Sequence, residues 1–434
     1  MPLSVRIEIE EDLYSYTNAD NGAGPFWCHG NTSIVECGGR IFAAGLETLS
    51  DVKPLSNCVP LLYVRDDNGW KLIYRGEGRT REPSPMACFF DNRAFLSLNT
   101  TQVGPEEYSG LSRPSILVFD ASNPEAPYNE IFPEWDGAPE FTEHSYRSFV
   151  SDSKNNELII FQNIGYTHAE WAFMDSEGYW IANGKLPWLW GAEYDTPQPA
   201  RTCYPNVQLK DRSVYFCGVS DIVEPYDEWR AYRKEVTGRE WDFDFRRLLF
   251  TWCDNIAEGQ FHKWIELSSR DRTSGNIMPS DMLVDDDGTA HILWLESALD
   301  VRIRDKYFPL EKQTYALNYL QIRNGVVRVR RALFVGGEGE SPGKCSGARL
   351  HRTVDGRILV IYHLDSEATG SGPQMHIAEI SAEGSLQNDT VLDIEKPFSS
   401  LFTNTVRAGS PISDTIHLLG NVENTIRYVK ISID

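Results

Sequence analysis

Short apolar runs punctuated by Asp, Asn, Gly and Pro recur along the whole chain, and they recur as a unit. A short strand leads to a turn with Asp, Asn or Gly, and then to a strongly apolar strand. The copies are NTSIVECGGRIFAAGLE (31–47), SPMACFFDNRAFLSLN (84–99), SYRSFVSDSKNNELIIFQN (145–163) and YPNVQLKDRSVYFCGVS (204–220). Three more follow: SDMLVDDDGTAHILWLE (280–296), GARLHRTVDGRILVIYH (347–363) and NTVRAGSPISDTIHLLGN (404–421). A spacing of about forty to seventy residues suits the four-stranded blade of a β-propeller. A second strand pair follows most copies, as in VPLLYVRDDNGWKLIYRG (59–76) and RLLFTWCDNIAEGQFHKWIEL (247–267).

The last copy is followed by only one further strand, TIRYVKISID (425–434). The missing outer strand is available in SVRIEIEED (4–12), and pairing the two would close the ring and remove both sheet edges. The expected fold is therefore all-β: a seven-bladed β-propeller of four-stranded antiparallel blades. Its ring would be closed by the N-terminal strand in the last blade, with residues 1–434 forming one domain. A six- or eight-bladed ring with one blade miscounted is the competing reading.

Blade connectivity sorts the loops. The d→a and b→c connections share one face, and the long connections are nearly all b→c: Glu47 to Cys58, Asn99 to Arg113, Ser220 to Phe245, Ser297 to Gln313 and Asp365 to Pro373. Long loops on one side of a rigid scaffold are where binding and catalysis concentrate, and converging strand starts make a central funnel there. At those starts lie His29, Arg81 with Glu82, His144 with Tyr146 and Arg147, Arg201 with Tyr204, Asn276, and Lys344. His168, on a b→c connection, is expected to return to the face where His144 begins. His291, His363 and His417 read as packing residues on or at the end of b strands, and His262 and His351 as strand positions. Trp27, Trp188, Trp190 and Trp229 are candidate stacking platforms on the loop face.

Composition narrows the partners. Apolar residues make up 41% and aromatic residues 12% of the chain, enough for a packed core. A formal net charge of −22 repels nucleic acid and anionic membrane at long range. An arginine cluster still dominates within roughly 8–10 Å, so an acidic small substrate stays admissible. No apolar run approaches the ~20 residues of a membrane span, and the N-terminus lacks the basic and apolar regions of a signal peptide. A cytoplasmic location is the expectation, or a periplasmic or secreted one if a leader has been removed. The eight cysteines are scattered, without CxxC spacing, and are expected to be reduced and structural. Cys28 with His29, or Cys253 with His262, lack the short-spaced ligand grouping of a zinc site. No metal is assigned; a structural or substrate-bridging divalent cation is left open, and no other cofactor is expected.

FMDSEGYW (173–180) is a degenerate form of the Asp-box S-x-D-x-G-x-x-W, and VRDDNGW (64–70) a weaker one. In these motifs the chain resembles the bacterial-neuraminidase-repeat propellers, a group that includes sialidases and polysaccharide lyases. Between residues 143 and 220 it resembles the seven-bladed ulvan lyases and rhamnose–glucuronate lyases. Their strand-start His and second His are matched by His144 and His168, and their Tyr-Pro by Tyr204-Pro205 in RTCYPN. The resemblance implies β-elimination from a uronate-containing oligo- or polysaccharide. His144 or His168 would be the base and Tyr204 the acid, and Arg201, or else Arg147, would have to stand in as the carboxylate neutraliser. His29, Arg81, Tyr146, Arg147, Asn276 and Lys344 would be substrate-binding residues. Imidazole suits the base because its pKa, about 6.5, lies near working pH, and arginine grips a carboxylate bidentately.

One departure bears on this chemistry. The family's neutralising arginine follows the Tyr-Pro strand, where this chain reads VYFCGVSD. The alternatives are a glycoside hydrolase on the same scaffold, sialidase-like or rhamnosidase-like, with Glu82 or Glu143 as candidate carboxylates, and a non-catalytic carbohydrate-binding propeller.

Overall fold

In the third blade the strands Arg147–Asp152 and Glu157–Ile164 are buried almost throughout. Asn156 closes the turn between them at φ 53°, a region that asparagine tolerates better than most residues. The next strand, His168–Met174, is also buried, whereas the outermost, Trp180–Pro187, alternates between half-buried and exposed positions along most of its length. Inner strands clamped between neighbouring sheets read as continuous apolar runs, and an outer strand with one wet face reads as an alternation.

The computed structural model describes residues 3–365 and 372–434. It contains seven four-stranded antiparallel sheets and two short two-stranded ribbons. The innermost strands are Ile34–Cys37, Met86–Cys88, Arg147–Asp152, Thr202–Lys210, Asn276–Val284, Lys344–Arg352 and Leu401–Thr403. The chain is a seven-bladed β-propeller. Its core is divided among the blade junctions. Phe42 and Leu62 of blade 1 meet Leu96 and Leu117 of blade 2, and Ile159 and Trp171 of blade 3 meet Phe216 of blade 4. Five further apolar clusters fill the remaining junctions, including Ala43 of blade 1 against Phe402 and Leu419 of blade 7.

Val5–Ser15 closes the ring as the outer strand of blade 7, pairing with Thr425–Ile433 from Val5↔Ile433 to Ser15↔Thr425. All eight cysteines are buried and free. The expected connection Asp365 to Pro373 lies largely outside the described residues.

Blade 7 departs from the sequence reading, which starts its first strand at Asn404. That strand is Leu401–Thr403, and residues 404–414 are no tight turn. They carry a 3-10 turn, Val406–Ala408, against the inner strands of blades 2, 3 and 4. Gly409 makes this approach possible: its φ is 94°, and a Cβ there would lie 2.0 Å from the Cys88 carbonyl. Arg407 then enters the ring interior. It donates to Asp281 Oδ1 from Nη2 (2.9 Å) and Nε (3.1 Å), to the Gly30 carbonyl (2.6 Å) and to Asn206 Oδ1 (3.1 Å). From the other side, the segment leading into blade 1 crosses the funnel floor. Asn31 donates to the Arg147 carbonyl (2.7 Å), and a Cβ on Gly30 would stand 2.0 Å from the Pro205 carbonyl. The funnel therefore has a closed bottom.

Candidate functional site

The segments entering the inner strands of blades 1 to 4 meet above this floor. Thr202–Lys210 carries a register shift between Cys203 and Asn206, and Tyr204 within it adopts φ 50°. A non-glycine residue in that region is held there by its surroundings, and a bulge re-aims a side chain. The Tyr204 ring packs near Tyr146 (5.6 Å between centroids), Trp27 (5.8 Å), Phe245 (5.9 Å) and His29 (5.5 Å). Above it opens a pocket of about 450 Å³ whose lining includes Trp27, Arg81, His144, Tyr146, Arg201 and Tyr204. That volume is in the range of small-ligand sites, about 300–1,000 Å³.

The charges in this pocket are arranged unequally. Arg201 forms an ion pair with Asp221 (Nη2 to Oδ2, 2.9 Å) and donates from Nε to the Asp221 carbonyl (2.8 Å). Its charge is thus matched within the protein, and its guanidinium lies over Tyr166 at 4.1 Å. Arg81 is 7% exposed and lies over the Trp27 ring at 4.7 Å. Its Nε donates to the Asn21 carbonyl (3.0 Å), while Nη1 is buried without a hydrogen-bond partner. A buried donor left unmade is costly, so an acceptor arriving from the pocket would be bound strongly. Two carboxylates, Asp221 and Asp242, are in the lining; Asp242 is ion-paired with Arg302 at 2.9 Å.

His144 is about half exposed, and its Nδ1 is 2.8 Å from Glu143 Oε1. Burial opposes ionisation of Glu143, but hydrogen bonds from His144 and the Gly110 amide hold its carboxyl below the usual range. The carboxylate fixes one ring nitrogen of His144 and leaves the other for the pocket.

His168 is not in the lining. The connection from Ile164 to His168 is a tight turn, so His168 begins the third strand of the blade, cross-paired with Ile164 and Pro187. Its Nε2 meets Glu170 Oε1 (3.0 Å) and its Nδ1 meets Thr167 Oγ1 (2.7 Å). The residue at the tip of that turn, Tyr166, reaches the pocket instead. Arg147 points away from it, donating to the Ser97 carbonyl (2.9 Å) and standing 3.6 Å from Glu82. Neighbours in a strand face opposite ways, so Tyr146 takes the pocket side and Arg147 the blade junction. His29 lines a separate small cavity, and burial followed by the nearby Arg349 lowers its imidazole to about 4. Asn276 and Lys344 line an adjoining cavity of about 260 Å³. Trp188 is buried against Phe216 and Trp264 rather than on the loop face.

The connection between Ser220 and Arg247 supplies the residues that strand-start reasoning missed. It folds as a ribbon, Ile222–Val223 with Phe243–Asp244, around an α-helix, Asp227–Thr237. Gly238 ends the helix at φ 69° with its N–H on the Lys234 carbonyl. A buried ion network fastens the insertion: Glu224 accepts from Arg246 (3.1 Å to each oxygen) and pairs with Arg233 (2.7 Å), and Arg233 meets Asp300 (3.0 Å). From this insertion Trp241, Asp242, Phe243 and Phe245 enter the lining. The alternation in WDFDF (241–245) is the one local signal that could have singled them out.

Glu82, beside Arg81 in the chain, is fully buried, and its carboxyl is raised by burial from 4.5 to about 7 despite Arg147 and Arg81. The folded state therefore holds this proton more tightly than the unfolded chain. The stability it contributes is complete below pH 4.5 and lost as pH rises through about 7. Glu82→Gln is expected to gain on the wild type, on the order of 3 kcal/mol, between about pH 4 and about pH 8. Urea denaturation at the two pH values measures the gain.

The FMDSEGYW segment turns between the third and fourth strands of blade 3. There Asp175 Oδ1 accepts the amides of Glu177 and Tyr179 (3.0 Å each). Among the described residues no group of three or more His, Cys, Asp or Glu side chains could hold a metal ion, and no helix is long and apolar enough to cross a membrane.

Fold and pocket together define a seven-bladed propeller with a blind funnel and a polar–aromatic pocket above its floor. No family model matches the chain, and no curated protein matches it either. Solved structures do. A protein of unknown function from Dyadobacter fermentans aligns over 99% of both chains, at 10% identity and a TM-score of 0.46. The α-L-arabinanase of Penicillium chrysogenum, complexed with arabinobiose, aligns over 99% of this chain and 98% of its own, at 12% identity and 0.46. The α-L-arabinofuranosidase of Fusarium graminearum aligns over 79% and 90%, at 10% identity and 0.42. At such low similarity the likeness decides neither substrate nor chemistry.

Proposed function

We propose that the chain is a carbohydrate-active enzyme that hydrolyses a glycosidic bond in an acidic oligo- or polysaccharide bound in the funnel pocket. The observation that carries this reading is that two carboxylates, Asp221 and Asp242, paired with Arg201 and Arg302 respectively, line a pocket that Trp27, Tyr146, Tyr166, Tyr204 and Trp241 also line. Aromatic faces suit the apolar faces of sugar rings, and glycoside hydrolysis is most often performed by two carboxyl groups flanking the scissile bond. The buried, unpartnered Nη1 of Arg81 supports an anionic group on the substrate, of which a uronate carboxylate is the simplest.

A second reading, β-elimination from a uronate, is favoured by a different observation. His144, oriented by Glu143, shares the pocket with Tyr146, Tyr204 and Arg81. Arg81 would then neutralise the carboxylate, since Arg201 is already matched by Asp221. Burial pushes the Tyr204 hydroxyl well above its ordinary value. It keeps its proton and serves as a donor more readily than as a base.

Incubation with uronate-containing and neutral polysaccharides tests both readings. Hydrolysis yields new reducing ends without ultraviolet absorbance from an unsaturated uronate; elimination yields both; a binding module yields neither. Arg81→Gln is expected to weaken kcat/KM for the acidic substrate about 10–100-fold, the worth of one charge-assisted hydrogen bond, while sparing any neutral one. Unchanged turnover of the acidic substrate by this variant would remove the acidic-substrate reading.

A further inference from the structure

The funnel pocket is flanked by a cavity on each side. One, of about 420 Å³, shares Tyr166 and Trp241 with it. The other, of about 260 Å³, shares Phe243 and Phe245. The three spaces therefore form a row whose partitions are aromatic side chains, and three of those four come from the single segment 241–245.

That segment is held firmly. Phe243 and Asp244 pair with Val223 and Ile222, Asp244 meets Arg246 at 2.7 Å and Asp242 meets Arg302 at 2.9 Å. Yet Trp241 is 65% exposed, a large aromatic surface left to solvent between two cavities. Each outer cavity also carries a cation beside a ring: Arg230 lies over Trp241 at 5.7 Å, and Lys344 over Tyr315 at 4.8 Å. A site for one sugar unit needs neither wing. A site for a chain needs rings at intervals, and for an acidic chain it needs cations at intervals.

We infer that the Trp241–Phe245 segment is a rail along which an extended acidic glycan lies, with sugar units on both sides of the central pocket, so that cleavage falls inside the chain rather than at its end. This rests on the carbohydrate reading above. Arg230 and Tyr315 each line one outer cavity and not the central pocket, so they report on the wings alone.

The test is calorimetric titration of the full chain with oligogalacturonides from disaccharide to hexasaccharide, beside a matched series of neutral galacto-oligosaccharides. The wild type is expected to bind the hexasaccharide at least about tenfold more tightly than the disaccharide, a gain of one favourable contact set. Arg230→Ala and Tyr315→Ala should each erase part of that gain and leave disaccharide affinity unchanged, and Tyr315→Phe should restore it. Equal wild-type affinity at every length overturns the rail. So does an equal loss at every length in both variants. Binding of neither series overturns the carbohydrate reading and the rail with it. Length-dependent binding of the neutral series alone keeps the rail and removes the acidic substrate.

Discussion

Arg407→Ala is expected to cost about 3–5 kcal/mol of stability, because it leaves the Asp281 carboxylate charged, buried and without its cation. Asp281 is 1% and Arg407 2% exposed, and their contact is doubled by the 2.9 and 3.1 Å hydrogen bonds to Oδ1. The arginine also satisfies the Gly30 carbonyl and Asn206, so its loss loosens blades 1, 4 and 5 from the blade 7 turn at once. What remains in direct contact with Asp281 is a pair of amide donors, Met282 N and Leu350 N (2.9 Å each), with the Arg349 guanidinium nearby but not hydrogen-bonded to it. Urea or thermal unfolding measures the loss. The double variant Asp281→Asn, Arg407→Met is expected to recover part of it, since the Asp281–Arg407 pair is removed together, while the buried Arg349 guanidinium loses the nearby carboxylate. A double variant as unstable as Arg407→Ala would show that shape rather than charge holds the pin.

Asp242→Asn and Asp221→Asn are each expected to lower kcat by about 10²–10⁴-fold, the usual worth of a carboxyl acting on a proton or a developing cation. Both substitutions keep the side-chain shape, but Asp221→Asn also leaves the buried Arg201 guanidinium without its carboxylate, so its effect is read on kcat, with unfolding measured alongside to account for lost stability. His144→Ala separates the two chemistries. In hydrolysis the imidazole has no obligatory proton to move, and the loss should stay within about tenfold. In elimination it is the base, and its removal should be as damaging as the aspartate changes. Steady-state kinetics of the three variants on one acidic substrate gives the answer. Near-full activity in both aspartate variants would end the hydrolase reading.

The seven blades were legible because strands buried between two neighbouring sheets leave long apolar runs such as ELIIFQN, and because each end of the chain offered one unpaired strand. Arg81, His144, Tyr146, Arg201 and Tyr204 could be placed near one another without coordinates, since the topology brings strand starts to the axis. Finer placement depends on residue parity and turn length. Arg147 follows Tyr146 directly and so faces the blade junction. The turn between Ile164 and His168 is short enough that the histidine starts a new strand and Tyr166 takes the tip. The 404–414 segment and the 221–246 insertion follow no blade period, so the closed funnel bottom was not legible in the sequence, and only the WDFDF alternation hinted at the aromatic residues of the insertion.

Ring closure by Val5–Ser15 on Thr425–Ile433 also sets a timetable. Strand partners more than four hundred residues apart meet only after the last of them has been synthesised. At about 5–20 residues per second the ribosome needs roughly 20–80 s to make the intervening chain. Throughout that interval Val5–Ser15 waits without its strand partner, the kind of edge that pairs with another chain. Closure of the propeller is therefore gated by the emergence of Thr425–Ile433, and nascent copies crowded on one message are where strand exchange between molecules is most favoured.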